Sequence, residues 1–316
     1  MKTISILVPT YNEEDNITAL VSALYNELKN NLASYDYEII FIDNYSHDTT
    51  RSIINSYCQA DEKVKAIFNA RNFGFSNSQV HGLLQTSGEC TILLYADLQE
   101  PVEMISSFVH EWENGYKLVI GQKTASEESK IMYRIRSIYY GIIKKWSDIE
   151  QIEHFTGFGL YDKSFINILR TIEDPAPFLR GIVAEFGYKI KIIHYKQKTR
   201  KTGKSNFNFY RLYDLAMLSI TSYTKVGLRF AVFCGVIIGF FSILIGLIYL
   251  ILKLVYWDRF PAGAAPILIG MMFLGAIQLF FIGFIGEYIL TINTRVMKRP
   301  LVIEEKRINF KKDYIK

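Results

Sequence analysis

At 316 residues the chain can hold one globular domain of about 200 residues plus an appendage, and its 50% apolar and 15% aromatic content is rich for a wholly soluble protein. The 36 Lys and Arg outnumber the 31 Asp and Glu by a net charge of +5, a balance that suits a surface facing anionic lipid or phosphate and gives no reason to expect a nucleic-acid partner. Cys58, Cys90 and Cys234 lie far apart without metal-ligand spacing, which excludes a cysteine metal site and reads as apolar filling in a reducing compartment.

No signal peptide is visible, and the N-terminus enters a strand-like run directly, so residues 1–228 are expected in the cytosol. Residues 3–8 read as a strand ended by Pro9. Residues 14–30 carry Ile17, Leu20, Val21, Leu24 and Leu28 at helical spacing, with acids in the first turn. A strand at 37–42 precedes a helix at 48–57 with Asp48 as its N-cap. Next come a strand at 64–68, a helix at 76–86, a strand at 90–95, a helix at 104–113 and a short strand at 118–120. Such alternation predicts an open, mostly parallel α/β sheet with helices on both faces.

Beyond Gly121 the pattern loosens. Residues 124–130 read as polar and mobile, 131–146 as helical, 189–195 as a strand. Residues 189–204 hold seven Lys or Arg and no acid. The aromatic stretch 206–228 reads as an amphipathic helix at a membrane surface. Residues 230–252 and 262–286 contain no charge, and at ~1.5 Å per residue each exceeds a ~30 Å hydrocarbon core. Lys225 and Arg229 before the first run, and Arg295, Lys298, Arg299, Lys306 and Arg307 after the second, place both termini in the cytoplasm by the positive-inside rule. The expected organisation is a domain at 1–205, an interfacial region at 206–228, two membrane helices within 229–293 (about 230–252 and 262–290) and a basic tail at 294–316.

Four consecutive strand ends bear polar clusters: Pro9-Thr10-Tyr11-Asn12-Glu13, Asp43-Asn44-Tyr45-Ser46, Arg71-Asn72-Phe73-Gly74 and Tyr95-Ala96-Asp97-Leu98-Gln99. In an open α/β sheet ligands bind outside the carboxyl ends of the strands. Carboxylates and an amide there suit a nucleotide and a hard cation.

These clusters, with Phe178-Leu179-Arg180-Gly181 and Arg200-Lys201-Thr202-Gly203-Lys204-Ser205, resemble glycosyltransferase family 2, with its GT-A fold. The resemblance is narrower to the polyprenyl-phosphate branch, which includes the bactoprenol glucosyltransferases and dolichol-phosphate mannose synthase. It implies an inverting transfer of a hexose or N-acetylhexosamine from a nucleotide-diphosphate sugar, of the UDP type, to undecaprenyl or another polyprenyl phosphate at the cytosolic face of the cell membrane, giving a polyprenyl-monophosphate sugar for decoration of cell-envelope glycans. By position, Pro9, Tyr11, Glu13, Asp43, Arg71 and Asp97 would bind the donor. Asp97 and Gln99 would hold Mg²⁺ or Mn²⁺. Lys123, Arg134, Arg200 and Lys204 would receive the acceptor phosphate. Asp97, Arg180 and Glu185 are the catalytic candidates, Glu185 as a replacement carboxylate. The Gly-rich apolar runs also allow a homo-oligomer.

Two departures stand out. Tyr95 replaces the leading Asp of the branch's Asp-x-Asp motif, and a phenol is a poor ligand for a hard cation. Gly157, in Thr156-Gly157-Phe158-Gly159-Leu160, aligns with an Asp assigned as base in the bactoprenol enzymes, with Asp162 five residues on. A phosphomonoester with a second pKa of about 6 is already largely dianionic at neutral pH, so such an acceptor does not require that base. Two other readings stay open: a catalytically impaired lipid- or nucleotide-binding homologue, and a polysaccharide synthase.

Overall fold

The computed structural model describes residues 1–125, 152, 154–197, 226–256 and 264–310. In the first half the expected alternation is present: β1 (Thr3–Thr10), α1 (Glu14–Asn31), β2 (Asp36–Asp43), α2 (Thr50–Ala60), β3 (Val64–Asn69), α3 (Phe75–Leu84), β4 (Cys90–Leu93), α4 (Met104–Glu113) and β5 (Leu118–Ala125). There follow β6 (Phe155–Asp162), α5 (Lys163–Thr171), α6 (Leu179–Glu185), β7 (Ile190–Lys196), two long helices α7 (Val226–Val255) and α8 (Ala264–Val296), and β8 (Glu304–Ile308). The chain divides into two units, one of Met1–Gly141, Ile149–Asn208 and Met297–Lys316, the other of Ile142–Asp148 and Phe209–Val296.

The first unit is built on an eight-stranded sheet in the order β7-β5-β6-β4-β1-β2-β3-β8. β1 pairs in parallel with β2 and β4, as do β2 with β3 and β5 with β7. β6 runs antiparallel to both β4 and β5, and β8 antiparallel to β3. The sheet is therefore mixed, because apolar patterning reports which residues are buried and not which way a strand runs. The pairing also lengthens β5. Gln122 and Lys123 are polar but lie opposite His194 and Tyr195 of β7.

Period-two alternation sends the side chains of each central strand to opposite faces. Ile4, Ile6 and Val8 of β1, with Ile39 and Phe41 of β2, pack with Ile17, Leu20, Val21 and Leu24 of α1 and Ile105 and Phe108 of α4. Leu7, Ile40 and Ile42 face the other way, onto Val80 and Leu83 of α3 and Phe165, Ile166 and Leu169 of α5. Burial on both faces is why these strands read as continuous apolar runs. Each such side chain contributes ~1.5–3 kcal/mol on burial. α2 begins two residues after Asp48, which is not the N-cap residue yet accepts a hydrogen bond from Thr50 N at 3.0 Å.

The stretch read as a basic tail contains β8, which pairs with β3 through Ala66–Asn69. Asn309, just after it, donates to the carbonyls of Cys58 and Val64 at 2.6 and 2.8 Å. In the second unit α7 spans 30 residues and α8 33. Among the described residues one helix, Gly270–Val296, is long and apolar enough to cross a membrane. In α7 the corresponding stretch, Val232–Ile248, is shorter than a full span, so the second of the two expected membrane helices does not meet the same measure. Val232, Phe233, Phe240, Leu279 and Phe280 all stand exposed. The helix expected at 206–228 lies outside the described residues except at its end, as does 126–151.

Candidate functional site

β1, β2, β3 and β4 run parallel, so their four polar clusters emerge at one edge of the sheet. Because β6 and β8 run the other way, their first residues reach that edge too, as do the last residues of β5 and β7. All four loops contain a residue at positive φ: Asn12 at 54°, Tyr45 at 71°, Gly74 at 90° and Leu98 at 55°. Tyr45 and Leu98 occupy a region that large side chains rarely adopt, at a cost on the order of 1–3 kcal/mol, and such strain gathers at functional sites.

The first two loops are laced together. Asn12 N donates to Ser46 Oγ at 2.8 Å, Ser46 Oγ donates to Asp43 Oδ1 at 2.5 Å, and His47 N donates to Asn12 Oδ1 at 2.9 Å. Glu13 N donates to Thr50 Oγ1 at 2.8 Å, while Glu13 Oε2 accepts from Asn16. Pro9 and Tyr11 are half-buried beside them. Asp43 is fully buried. Burial pushes its carboxyl above the ordinary range, against the lowering effect of Ser46 and Arg51. Ser46 N and Ser46 Oγ both donate to it, so its carboxylate organises the loop after β2. The third loop is pinned by amides. Asn44 Nδ2 donates to Asn72 Oδ1 at 2.9 Å, and Phe73 N donates to Asn44 Oδ1 at 3.0 Å. Arg71 is exposed and lies over the Phe73 ring at 4.1 Å.

Tyr95 is turned away from a ligand role. Its hydroxyl donates to Thr156 O at 2.9 Å and accepts from Gln79 Nε2 at 3.2 Å. Burial pushes the phenol's pKa up, so it stays a neutral donor. A Cβ on Gly157 would sit 2.6 Å from that hydroxyl. The two departures noted in the sequence thus touch each other. Asp162 lies at the opposite end of β6, where it caps α5 through Ser164 N at 2.9 Å and accepts from Trp112 Nε1 at 2.8 Å.

Asp97 Oδ1 accepts from Gln99 N at 3.3 Å, and Gln99 Oε1 accepts from Gln197 Nε2 at 2.9 Å. Glu100, the residue after the Tyr95–Gln99 cluster and given no role from sequence, is 3% exposed. Tyr195 Oη donates to its Oε1 at 3.4 Å, and its Oε2 is buried without a hydrogen-bond partner among the described residues. Burial, and then the charge of Asp97, push the Glu100 carboxyl up to about 8. Among the described residues no cluster of three or more His, Cys, Asp or Glu side chains forms a metal site. The donors present are nevertheless all oxygens, and an orphaned carboxylate oxygen lies three residues from Asp97. This set fits a hard divalent cation completed by phosphate and water.

Lys123, at the end of β5, is half-buried and lowers the Glu100 carboxyl electrostatically. Arg180, in the first turn of α6, donates to Phe155 O at 3.4 Å and acts on Tyr95, which brings its charge to the same edge. Glu185 is exposed at the far end of α6. Arg134, Arg200 and Lys204 lie outside the described residues. Sequence reasoning missed Glu100, Gln79, Arg51 and Gln197. Each is an ordinary polar residue in the chain: Glu100 simply follows Gln99, Arg51 and Gln79 reach this edge through the packing of α2 and α3, and Gln197 through the pairing of β7 with β5.

The profile of the family described as Glycosyl transferase family 2 matches residues 5–187. A Bacillus subtilis (strain 168) protein described as putative glycosyltransferase CsbB is 32% identical over 300 residues, covering 94% of this chain and 89% of its own length. An Escherichia coli (strain K12) protein described as a prophage bactoprenol glucosyl transferase homolog is 30% identical over 303 residues, covering 95% and 97%. The SfII prophage-derived bactoprenol glucosyl transferase of Shigella flexneri is 31% identical over 306 residues, covering 96% and 97%.

Proposed function

Because the chain belongs to glycosyl transferase family 2, we propose that it moves a hexose, with inversion, from a nucleotide-diphosphate sugar of the UDP type to a polyprenyl phosphate at the cytosolic face of a membrane. The observation that carries this reading is the extent of the similarity. Relatives named as bactoprenol glucosyl transferases match 95–96% of this chain, well past the family domain and through both long helices. Their names favour a hexosyl over an N-acetylhexosaminyl donor.

Within this reading the laced loops of Pro9, Tyr11, Glu13 and Asp43 cradle the nucleotide, with exposed Arg71 at its rim. Asp97 and Gln99, with Glu100 as a further oxygen source, would hold Mg²⁺ or Mn²⁺, whose chemistry when bound is to neutralise charge on the departing diphosphate. Arg180 and Lys123 supply positive charge at the edge where the acceptor phosphate must approach, and Arg134, Arg200 and Lys204 are proposed to extend it. Gly157 brings no carboxylate there. A dianionic phosphate needs none, since its attacking oxygen carries no proton to remove and positioning can supply much of the rate. Glu185, exposed at the end of α6, is the weaker candidate for a catalytic role.

The test is transfer of radiolabelled sugar to undecaprenyl phosphate by the full chain in detergent, with Mg²⁺ or Mn²⁺ and a panel of nucleotide sugars. Wild type should give a lipid-phosphate sugar with at least one donor, and Asp97→Asn should lower the rate at least about a hundredfold, the scale of losing one electrostatic element of a transition state. Binding of donor or lipid without turnover on any donor would favour an impaired binding homologue.

A further inference from the structure

Arg51, in the first turn of α2, stands where three strand ends meet. Its Nε lies 3.0 Å from Asp43 Oδ2 of β2, at an angle that makes it an ion pair and not an aligned hydrogen bond. Its Nη2 donates to Asn69 O of β3 at 3.3 Å and to Glu305 Oε2 of β8 at 2.8 Å. The guanidinium also lies over the Phe68 ring at 4.9 Å and the Tyr45 ring at 5.8 Å. The planar fork of an arginine suits such a junction, since it can serve several acceptors in one plane while stacking on rings. From Asp43 the contacts continue through Ser46 Oγ to Asn12 N in the loop after β1. β8 is itself seated at this edge, because Ala70 N donates to Ile303 O at 2.9 Å and Glu304 lies opposite Asn69.

A surface ion pair would contribute little, but Asp43 is fully buried, and Arg51 is the cation beside it. Removing a partner from a buried charge is costly even where forming the pair gains little. The loop that Asp43 shapes therefore depends on where Arg51 is held, and Glu305 is one of its anchors.

We propose that Arg51 is a positioning residue of the donor site, held in part from β8 by Glu305, so that nucleotide binding and the docking of this C-terminal strand are coupled. The proposal rests on the reading that the loops after β1 and β2 hold the nucleotide. Coupling of this kind is reciprocal: whatever β8 contributes to nucleotide affinity, the nucleotide returns to β8.

The experiment uses the full chain in lipid nanodiscs with Mg²⁺. UDP, GDP and dTDP are each titrated as probes, and hydrogen exchange is followed at residues 303–308 with and without the nucleotide that binds. Bound nucleotide should slow exchange in β8. Glu305→Gln, at a half-exposed position where folding is not at stake, should weaken nucleotide binding about two- to fivefold, the scale of one exposed ion pair, and reduce that protection. Glu305→Asp should restore part of both. Arg51→Met, which keeps an apolar stem against Phe68, should weaken binding about tenfold or more. Asp43→Asn distinguishes the coupling from the donor site itself. If it loses nucleotide while Glu305→Gln and Arg51→Met bind as wild type and β8 exchange ignores nucleotide, the coupling is overturned and the donor-site reading stands. If no probe binds wild type and Asp43→Asn leaves transfer intact, the donor-site reading falls and the coupling with it.

Discussion

Tyr95 and Gly157 are separated by 62 positions and are one local feature. The Tyr95 hydroxyl, held by Thr156 O and Gln79, fills the space that a side chain at 157 would need. Gly157 also sits at φ 114°, where an L side chain is strained whatever the space. A carboxylate at either position would have to displace this arrangement. Gly157→Ala should therefore destabilise the protein by about 1–3 kcal/mol through clash and strain. Removing the hydroxyl first, in Tyr95→Phe, should make the same substitution less costly. A thermal-unfolding double-mutant cycle measures the difference, and equal costs in both backgrounds would show that the hydroxyl is not what excludes a side chain at 157. The two residues were legible in sequence as departures, but their contact was not. It arises because β6 runs antiparallel to β4, which sets Gly157 beside the end of a strand far earlier in the chain.

At the scale of the element, β8 is the least expected part of the sheet. Residues 304–308 read Glu-Glu-Lys-Arg-Ile, with no apolar alternation, so nothing local marks a strand. It forms because the edge of β3 offers unpaired backbone groups and because ion pairs hold its side chains. Glu304 meets His81 Nε2 at 2.5 Å and also pairs with Arg307, which donates to Gln85 Oε1 at 2.8 Å. Burial would raise the Glu304 carboxyl, but the hydrogen bonds with His81 and Arg307 outweigh it and hold the pKa down to about 2. A depressed carboxyl contributes stability that is fully present above its unfolded pKa of about 4.3 and is lost as pH falls toward 2. Docking of β8 should thus weaken between roughly pH 4.5 and pH 2. The unfolding midpoints of wild type and Glu304→Gln should converge across that window, and a gap that stays constant down to pH 2 would refute the linkage.

For the whole molecule the decisive fact is the path of the chain. It leaves the sheet after β7, runs through α7 and α8, and re-enters the same sheet as β8. Any membrane crossing between β7 and β8 must therefore be even in number, because both strands belong to one folded unit on one side. The apolar measure that selects α8 but not the described part of α7 would, taken alone, suggest a single crossing. We propose a pair of crossings, a reading that the return of β8 and the charge pattern around both runs support. A cysteine introduced by Asp258→Cys, between the two helices, should react with a membrane-impermeant thiol reagent added from outside. A cysteine introduced by Asp313→Cys should react only after permeabilisation. Labelling of both from the same side would rule out the hairpin. The buried Cys58 and Cys90 leave few competing thiols, and Cys234 is replaced with Ser to complete the background.

The alternating units of the first half, the burial of central strands on both faces and the gathering of four polar loops at one edge are all legible along the chain. Those follow from residue spacing and from local turn chemistry, both written along the chain. The resemblance that the family profile bears out is legible there as well, since motif order survives where overall identity has fallen to about 30%. Relations between distant segments emerged with folding alone: the antiparallel course of β6, the strand hidden in the basic tail, the burial of Asp43 beneath its loop, the orphaned oxygen of Glu100 and the contact of Tyr95 with Gly157. The physical reason is common to all of them. Strand direction, edge pairing and the burial of a polar atom depend on which segments come to lie side by side, and no local pattern of side chains specifies that.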